Sequence, residues 1–176
     1  MRTVVATGCI LEPLRATHAH EMFSVLSDPA IYEFENQPPS SEGWLTRRFE
    51  RLESRRSKDG TELWLNWIVR LAGGELAGYV QATVLPTKAS YVAYELNSRY
   101  WRRGIGSSAV SAMLEELSVQ YGVHTYVAVF KSSNFRSSGL LRKLGFAPAT
   151  AEQAAEYGAE SDELTMVMDS WPGPSR

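Results

Sequence analysis

Two hydrophobic periods divide this chain. Ile105, Ala109, Val110, Met113, Leu114, Leu117 and Tyr121 recur at three- and four-residue intervals, which places them on one face of a helix. Gly122 follows where a helix closes on a left-handed residue. The same spacing predicts a helix from Thr17 to about Ser27, capped by Thr17, with Ala19, Met22, Phe23 and Leu26 inward. A further helix runs from Ser40 or Ser41 to about Arg56 with Trp44, Leu45, Phe49 and Leu52 as its buried stripe. Between them Asp28 and Pro29 open a short helical turn carrying Ile31, Tyr32 and Phe34, and Pro38-Pro39 breaks it. After the polar loop Lys131-Ser132-Ser133-Asn134-Phe135-Arg136-Ser137, Leu140, Leu141 and Leu144 mark one more helix, closed by Gly145.

Strand patterns fill the rest. Residues 9–14 form a short strand that includes Cys9 and ends at Pro13. Residues 62–71 and 76–85, joined by Ala72-Gly73-Gly74-Glu75, form a hairpin, and a strand through 91–96 extends it into an antiparallel meander. Residues 125–130 are a compact apolar strand. The helix joining it to 91–96 implies a parallel pair by a right-handed crossover. Residues 146–150 and 164–168 complete the strands, 171–174 are a tail, and 151–160 are acidic and weakly patterned. The predicted fold is α/β: a mostly antiparallel sheet with one parallel step.

Candidate chemistry gathers at that step. Arg99, Arg102 and Arg103 surround a turn that leads into Gly104-Ile105-Gly106-Ser107 at a helix start. Glycines two apart let successive N–H groups converge on an anion, and the helix start adds further unpaired donors. The stretch is a candidate phosphate cradle, although a tight packing turn explains the same glycines. It is neither a dinucleotide fingerprint, since Ala109 stands at the third glycine, nor a Walker loop, since no lysine follows Gly106.

Composition narrows the rest. A chain of 176 residues, 44% hydrophobic and 22% charged, suits one domain over 1–176 with its core at about 9–169. The net charge of −2 argues against a nucleic-acid partner, and no apolar run is long enough for a membrane partner. The single cysteine excludes an internal disulfide and suits the cytoplasm. Three histidines without ligand spacing give no metal site.

Three blocks together resemble the GCN5-related N-acetyltransferases (GNAT), in the branch similar to RimJ and RimL. They are Leu11-Glu12-Pro13-Leu14 followed by a helix and Leu26-Ser27-Asp28-Pro29; Tyr94-Glu95-Leu96-Asn97 with Tyr100-Trp101-Arg102-Arg103-Gly104-Ile105-Gly106-Ser107; and the run from Asn134 through Leu144-Gly145-Phe146. Two departures stand out. Trp101 occupies the place where the wider family often has Gln or Arg, as is common in this branch. Leu141 stands where many members place a tyrosine general acid.

The resemblance implies a splayed central sheet with helices on both faces and acetyl-CoA as co-substrate, with no metal. An amine acceptor attacks the thioester directly in a ternary complex. It places the pyrophosphate on the N–H groups of Arg102, Arg103, Gly104, Ile105, Gly106 and Ser107, with Trp101 also at the cofactor. The pantetheine arm falls on backbone groups of Glu95, Leu96 and Asn97, and Asn134 and Ser137 contact the donor. With Leu141 unable to donate, Ser137 is the candidate acid, by position in the RimL-like branch; helix capping is its alternative. Glu95 is the candidate base, with Glu33 and Glu35 as rivals. Arg136, Arg142, Lys143 and Lys131 either approach the phosphates or form a solvated face. Glu152, Glu156, Glu160, Asp162 and Glu163 suggest an acidic mouth for a cationic amine: a protein N-terminus, a polyamine or an aminoglycoside-like amine. A solvated acidic loop is the alternative. The competing classes are a non-catalytic acyl-CoA-binding module and a nucleotide-phosphate binder. Oligomeric state, homodimer included, stays open, with Trp64 and Trp67 suited to core or dimer contacts.

Overall fold

A computed structural model describes residues 1–173; Pro174 of the expected tail lies outside the described residues. Eight strands form one sheet in the order β1-β2-β3-β4-β5-β6-β8-β7. They are β1 (Val4–Ala6), β2 (Cys9–Pro13), β3 (Leu63–Leu71), β4 (Leu76–Val84), β5 (Ala89–Leu96), β6 (Thr125–Lys131), β7 (Ala147–Pro148) and β8 (Glu163–Asp169). Every pairing is antiparallel except β5 with β6, as the helix between them requires. The helices are α1 (Ala19–Leu26), α2 (Glu42–Leu52), α3 (Ile105–Tyr121), α4 (Phe135–Lys143) and α5 (Ala151–Glu156).

Alternation along the strands sorts two cores. Leu65, Trp67 and Val69 of β3 face α3 and α4, packing with Val110, Met113, Leu114, Leu117 and Leu141. Ile68 and Leu76 face the other way, onto Met22 and Leu26 of α1 and Leu45 and Phe49 of α2. Cys9 is buried in the first core. Trp67 is fully buried there too, its indole N–H donating to the Arg2 carbonyl at 3.1 Å, so it is a core residue and not a surface contact. No helix is long and apolar enough to cross a membrane among the described residues.

Local chemistry explains where the observed elements depart from the sequence pattern. Thr17 caps nothing. A 3-10 turn, Ala16–His18, precedes α1, and His18 Nδ1 accepts the Arg15 N–H at 3.1 Å. Ser41 does cap α2, accepting the Trp44 N–H at 3.1 Å, but α2 ends at Leu52. Arg55 turns left-handed (φ 58°) so that Arg56 can bridge to Leu63, which leaves only Arg51 in the basic last turn. β1 was not expected: three residues are too short to show a period, and pairing with β2 orders them. Arg2 reinforces it through a 2.7 Å ion pair to Glu116, which is 3% exposed on α3. α5 was also not expected, yet Thr150 and Gln153 form a capping box at its start.

The detail that shapes the site lies near the start of β4. The chain approaches β5 so closely at Gly78 (φ 152°) that a Cβ there would overlap the Glu95 carbonyl oxygen. Gly78→Ala should therefore destabilise the protein by about 2 kcal/mol in chemical denaturation. A change within 0.5 kcal/mol, of the order of an ordinary surface substitution, would show that the close approach is not required.

Candidate active site

β5 and β6 stay paired only from Ala89/Thr125 to Tyr91/Val127 and then diverge, while β6 continues with β8. The β4 register fixes which β5 groups enter the gap. Asn97 N–H bonds the Ala77 carbonyl, and Leu85 N–H bonds the Ala89 carbonyl, so odd-numbered residues of β5 exchange bonds with β4. Even-numbered residues therefore turn their backbone toward β6. Past the last paired position, these are Val92, Tyr94 and Leu96, of which Tyr94 and Leu96 line the cleft.

This corrects the expected donor set. The backbone groups of Glu95 and the Asn97 N–H point to β4, and the Asn97 carbonyl accepts the Tyr100 N–H at 3.0 Å, so none of them opens into the gap. The Asn97 side chain is also engaged, donating to the Val25 carbonyl at 3.0 Å and accepting the Arg99 N–H at 3.2 Å. Leu96 does face the gap, but its carbonyl accepts the Trp101 indole N–H at 2.7 Å, leaving its N–H open. Tyr94, which the motif reading passed over, offers both backbone groups. Strand register was the missing signal, and a single sequence does not carry it.

The glycine turn has the form expected of a cradle. Arg102 (φ 57°) and Gly104 (φ 80°) are both left-handed, and the first helical bond of α3 is Ser108 N–H to the Gly104 carbonyl. From Arg102 to Ser107 no backbone N–H has an acceptor among the described residues. Open space surrounds the Cβ position of Gly104. Gly106 plays a different part: a Cβ there would crowd Leu96 and Leu140, each at 3.1 Å, so its smallness lets α3 meet β5 and α4. Arg102, Gly104, Gly106 and Ser107 line a cleft of about 1090 Å³, together with Trp101, Asn134 and Ser137.

Across the gap, Asn134 caps α4 by accepting the Ser137 N–H at 3.1 Å, leaving its amide N–H₂ free to donate. The Tyr94 hydroxyl donates to the Ser137 carbonyl at 3.4 Å, and burial pushes its pKa up to about 12. Leu141 is 1% exposed in the core, so the usual tyrosine position supplies no proton. Arg136 sits 4.6 Å from the Trp101 ring centroid, 5.1 Å from Phe135 and 5.3 Å from Phe34. Its 2.6 Å ion pair with Glu33 ties the start of α4 to the segment after the 3-10 turn Pro29–Tyr32.

That pairing commits Glu33, and it does not line the cleft. Glu95 and Glu35 do. The Glu95 side chain leaves β5 opposite to Tyr94, into the half of the cleft beneath α2. Burial raises its pKa, offset in part by hydrogen bonds from Tyr79 and Tyr32 and by the charge of Arg48. Glu35 is also raised, by burial and by Glu163. The acidic segment forms no mouth. Glu160, Asp162 and Glu163 gather on Lys131, at 3.2, 2.9 and 3.5 Å, and neither they nor Glu152 and Glu156 line the cleft.

The acetyltransferase (GNAT) domain model matches residues 9–147. No curated protein matches the chain in sequence. Among solved structures, RimL, a ribosomal L7/L12 alpha-N-protein acetyltransferase in complex with coenzyme A, superposes with a TM-score of 0.80 at 17% identity. The match covers 96% of this chain and 98% of RimL. A ribosomal-protein-S5-alanine acetyltransferase from Vibrio fischeri gives 0.75 at 17%, covering 98% and 99%. The microcin C7 self-immunity acetyltransferase MccE, solved with acetyl-CoA and AMP, gives 0.75 at 18%, covering 92% of each chain. At such identities the likeness shows the fold.

The Glu95 environment has a consequence for stability. Its folded pKa lies above the ordinary 4.5, so its contribution is fully present below pH 4.5 and is lost as pH rises through the folded value. Glu95→Gln should therefore gain stability relative to the parent as pH increases from 4 to 8, in paired denaturation curves. A difference that stays constant with pH would contradict the assignment.

Proposed function

The chain belongs to the GNAT acetyltransferase family, and from that premise we propose an acetyl-CoA-dependent N-acetyltransferase acting on a primary amine in a ternary complex. One observation carries this reading. The unbonded N–H groups from Arg102 to Ser107 open directly onto a strand edge, and that edge leads to a half-buried carboxylate. RimL solved with coenzyme A and MccE solved with acetyl-CoA support the donor.

Acetyl-CoA bound in this cleft supplies the acetyl thioester. The N–H groups from Arg102 to Ser107 hold the pyrophosphate, and Arg102 and Arg103 add positive potential. Tyr94 and Leu96 satisfy the amides of the pantetheine arm by extending the β5 edge, and the free Asn134 amide donates to the same arm. The Tyr94 N–H, one strand step farther from the cradle than Leu96, polarises the thioester carbonyl with a fixed dipole, and the Tyr94 carbonyl is left for the arm.

Glu95 takes one proton from the acceptor ammonium, and burial raises its pKa, which makes it a stronger base than an exposed carboxylate. As the C–N bond forms and the C–S bond breaks, Ser137 gives its hydroxyl proton to the departing sulfur. It regains a proton from the acetylated nitrogen. Overall an ammonium and a thioester become an amide, a thiol and one proton released to solvent.

Isothermal titration should find acetyl-CoA binding to the parent at one site. Gly104→Val, which forces a β-branched residue to a left-handed φ, should weaken binding at least tenfold. Ser137→Ala should bind acetyl-CoA like the parent and lose about 100-fold in kcat. A folded parent that binds no acetyl-CoA would remove the proposed function.

A further inference from the structure

The sheet face beneath α2 carries a polar patch that the donor chemistry does not use. Asn66 on β3 and Gln81 on β4 stand opposite each other in register, and so do Tyr79 on β4 and Glu95 on β5. All four lie on the Ile68 face by strand alternation. Ala93, the β5 partner of Gln81, continues that row with only a methyl group, which leaves room beside Glu95. Arg48 of α2 reaches the same cleft from the facing layer.

Three of these groups await a partner. Asn66 is 5% exposed, lines the cleft, and makes no side-chain hydrogen bond among the described residues. Its amide is not sealed in: the one fully enclosed unpartnered side-chain atom among the described residues is Thr165 Oγ1, on β8. Gln81 also lines the cleft without a hydrogen-bond partner there. Arg48 forms no ion pair among the described residues, and its close neighbour is the Trp44 ring at 5.7 Å. A buried amide without a partner costs stability unless a ligand satisfies it. A free guanidinium in a half-buried wall suits a carboxylate, which it binds through two parallel hydrogen bonds.

We propose that this recess is the acceptor subsite and that it selects a dipolar acceptor, the α-amine of an amino acid or short peptide. The acceptor carboxylate pairs with Arg48, its amide or carboxylate oxygens take N–H bonds from Asn66 and Gln81, and its amine lies at Glu95. A polyamine is disfavoured because Arg48 repels its second cationic group and the Asn66 and Gln81 amides go unsatisfied. The inference rests on the transferase reading and narrows its acceptor to one chemical class.

The test is an acceptor panel of alanine, alanylglycine and alanylglycylglycine, each paired with its C-terminal amide, together with spermidine. Coenzyme A release is measured for the parent, Arg48→Gln and Asn66→Ala. In at least one pair the acid should exceed its amide at least tenfold in kcat/KM, and spermidine should fall below that acid. Arg48→Gln should bring the acid down to its amide, and Asn66→Ala should raise acceptor KM several-fold. Acids no better than their amides, or an unchanged ratio in Arg48→Gln, would overturn the proposal. Titration of the same panel into the coenzyme A-loaded protein separates the two readings. Selective binding of the acid without turnover sustains the subsite and sinks the transferase. Turnover that favours spermidine sustains the transferase and sinks the subsite.

Discussion

The structure depends on a parallel strand pair that stops pairing. β5 and β6 share a ladder only as far as Tyr91 and Val127, and the rest of each strand belongs to a different neighbour. Each unmade backbone bond in a part-buried gap forgoes roughly 1 kcal/mol and costs more if the group stays dry. The chain recovers one of these losses by turning the Trp101 indole back onto the Leu96 carbonyl. It leaves Tyr94 and the Leu96 N–H open, next to a run of equally open N–H groups at the start of α3. Open backbone of this kind is a binding surface because its geometry is set before any ligand arrives.

The alternation of β5 then divides the labour. Tyr94 and Leu96 point toward α3 and α4, where the glycine turn and the α4 cap converge. Glu95, between them, points the opposite way, under α2 and beside Tyr32, Tyr79 and Arg48. A carboxylate and a strand-edge N–H on adjacent residues thus serve opposite sides of one sheet. Gly78 makes this possible, since only a residue without a side chain lets β4 lie against the Glu95 carbonyl.

Charge is distributed with the same economy. Glu160, Asp162 and Glu163 of the acidic segment that reads as an attractant for cations are consumed on Lys131, and Glu33 is consumed on Arg136. In the part of the cleft beneath α2, the guanidinium of Arg48 and the amides of Asn66 and Gln81 have no partners among the described residues, and Glu95 is the carboxylate beside them. Formal charge along the chain therefore misstates the electrostatics of the site, because ion pairs outside the cleft engage part of it.

Much of this was determined locally. The periodicity of 105–121, the capping residues Asp28, Ser41 and Asn134, and the glycines at 104 and 122 specify their elements through neighbours a few residues away. The three motif blocks likewise located the glycine turn and the α4 start, since both are built from contiguous backbone. What tertiary structure alone decided involves partners distant in the chain. It ordered β1 against β2, assigned Gly106 to packing, turned the Glu95 backbone and the Asn97 N–H to β4, and brought Asn66, Gln81 and Arg48 to one recess. Register across strands and the pairing of charges between layers are set by the summed packing of the sheet. No local window of sequence contains them.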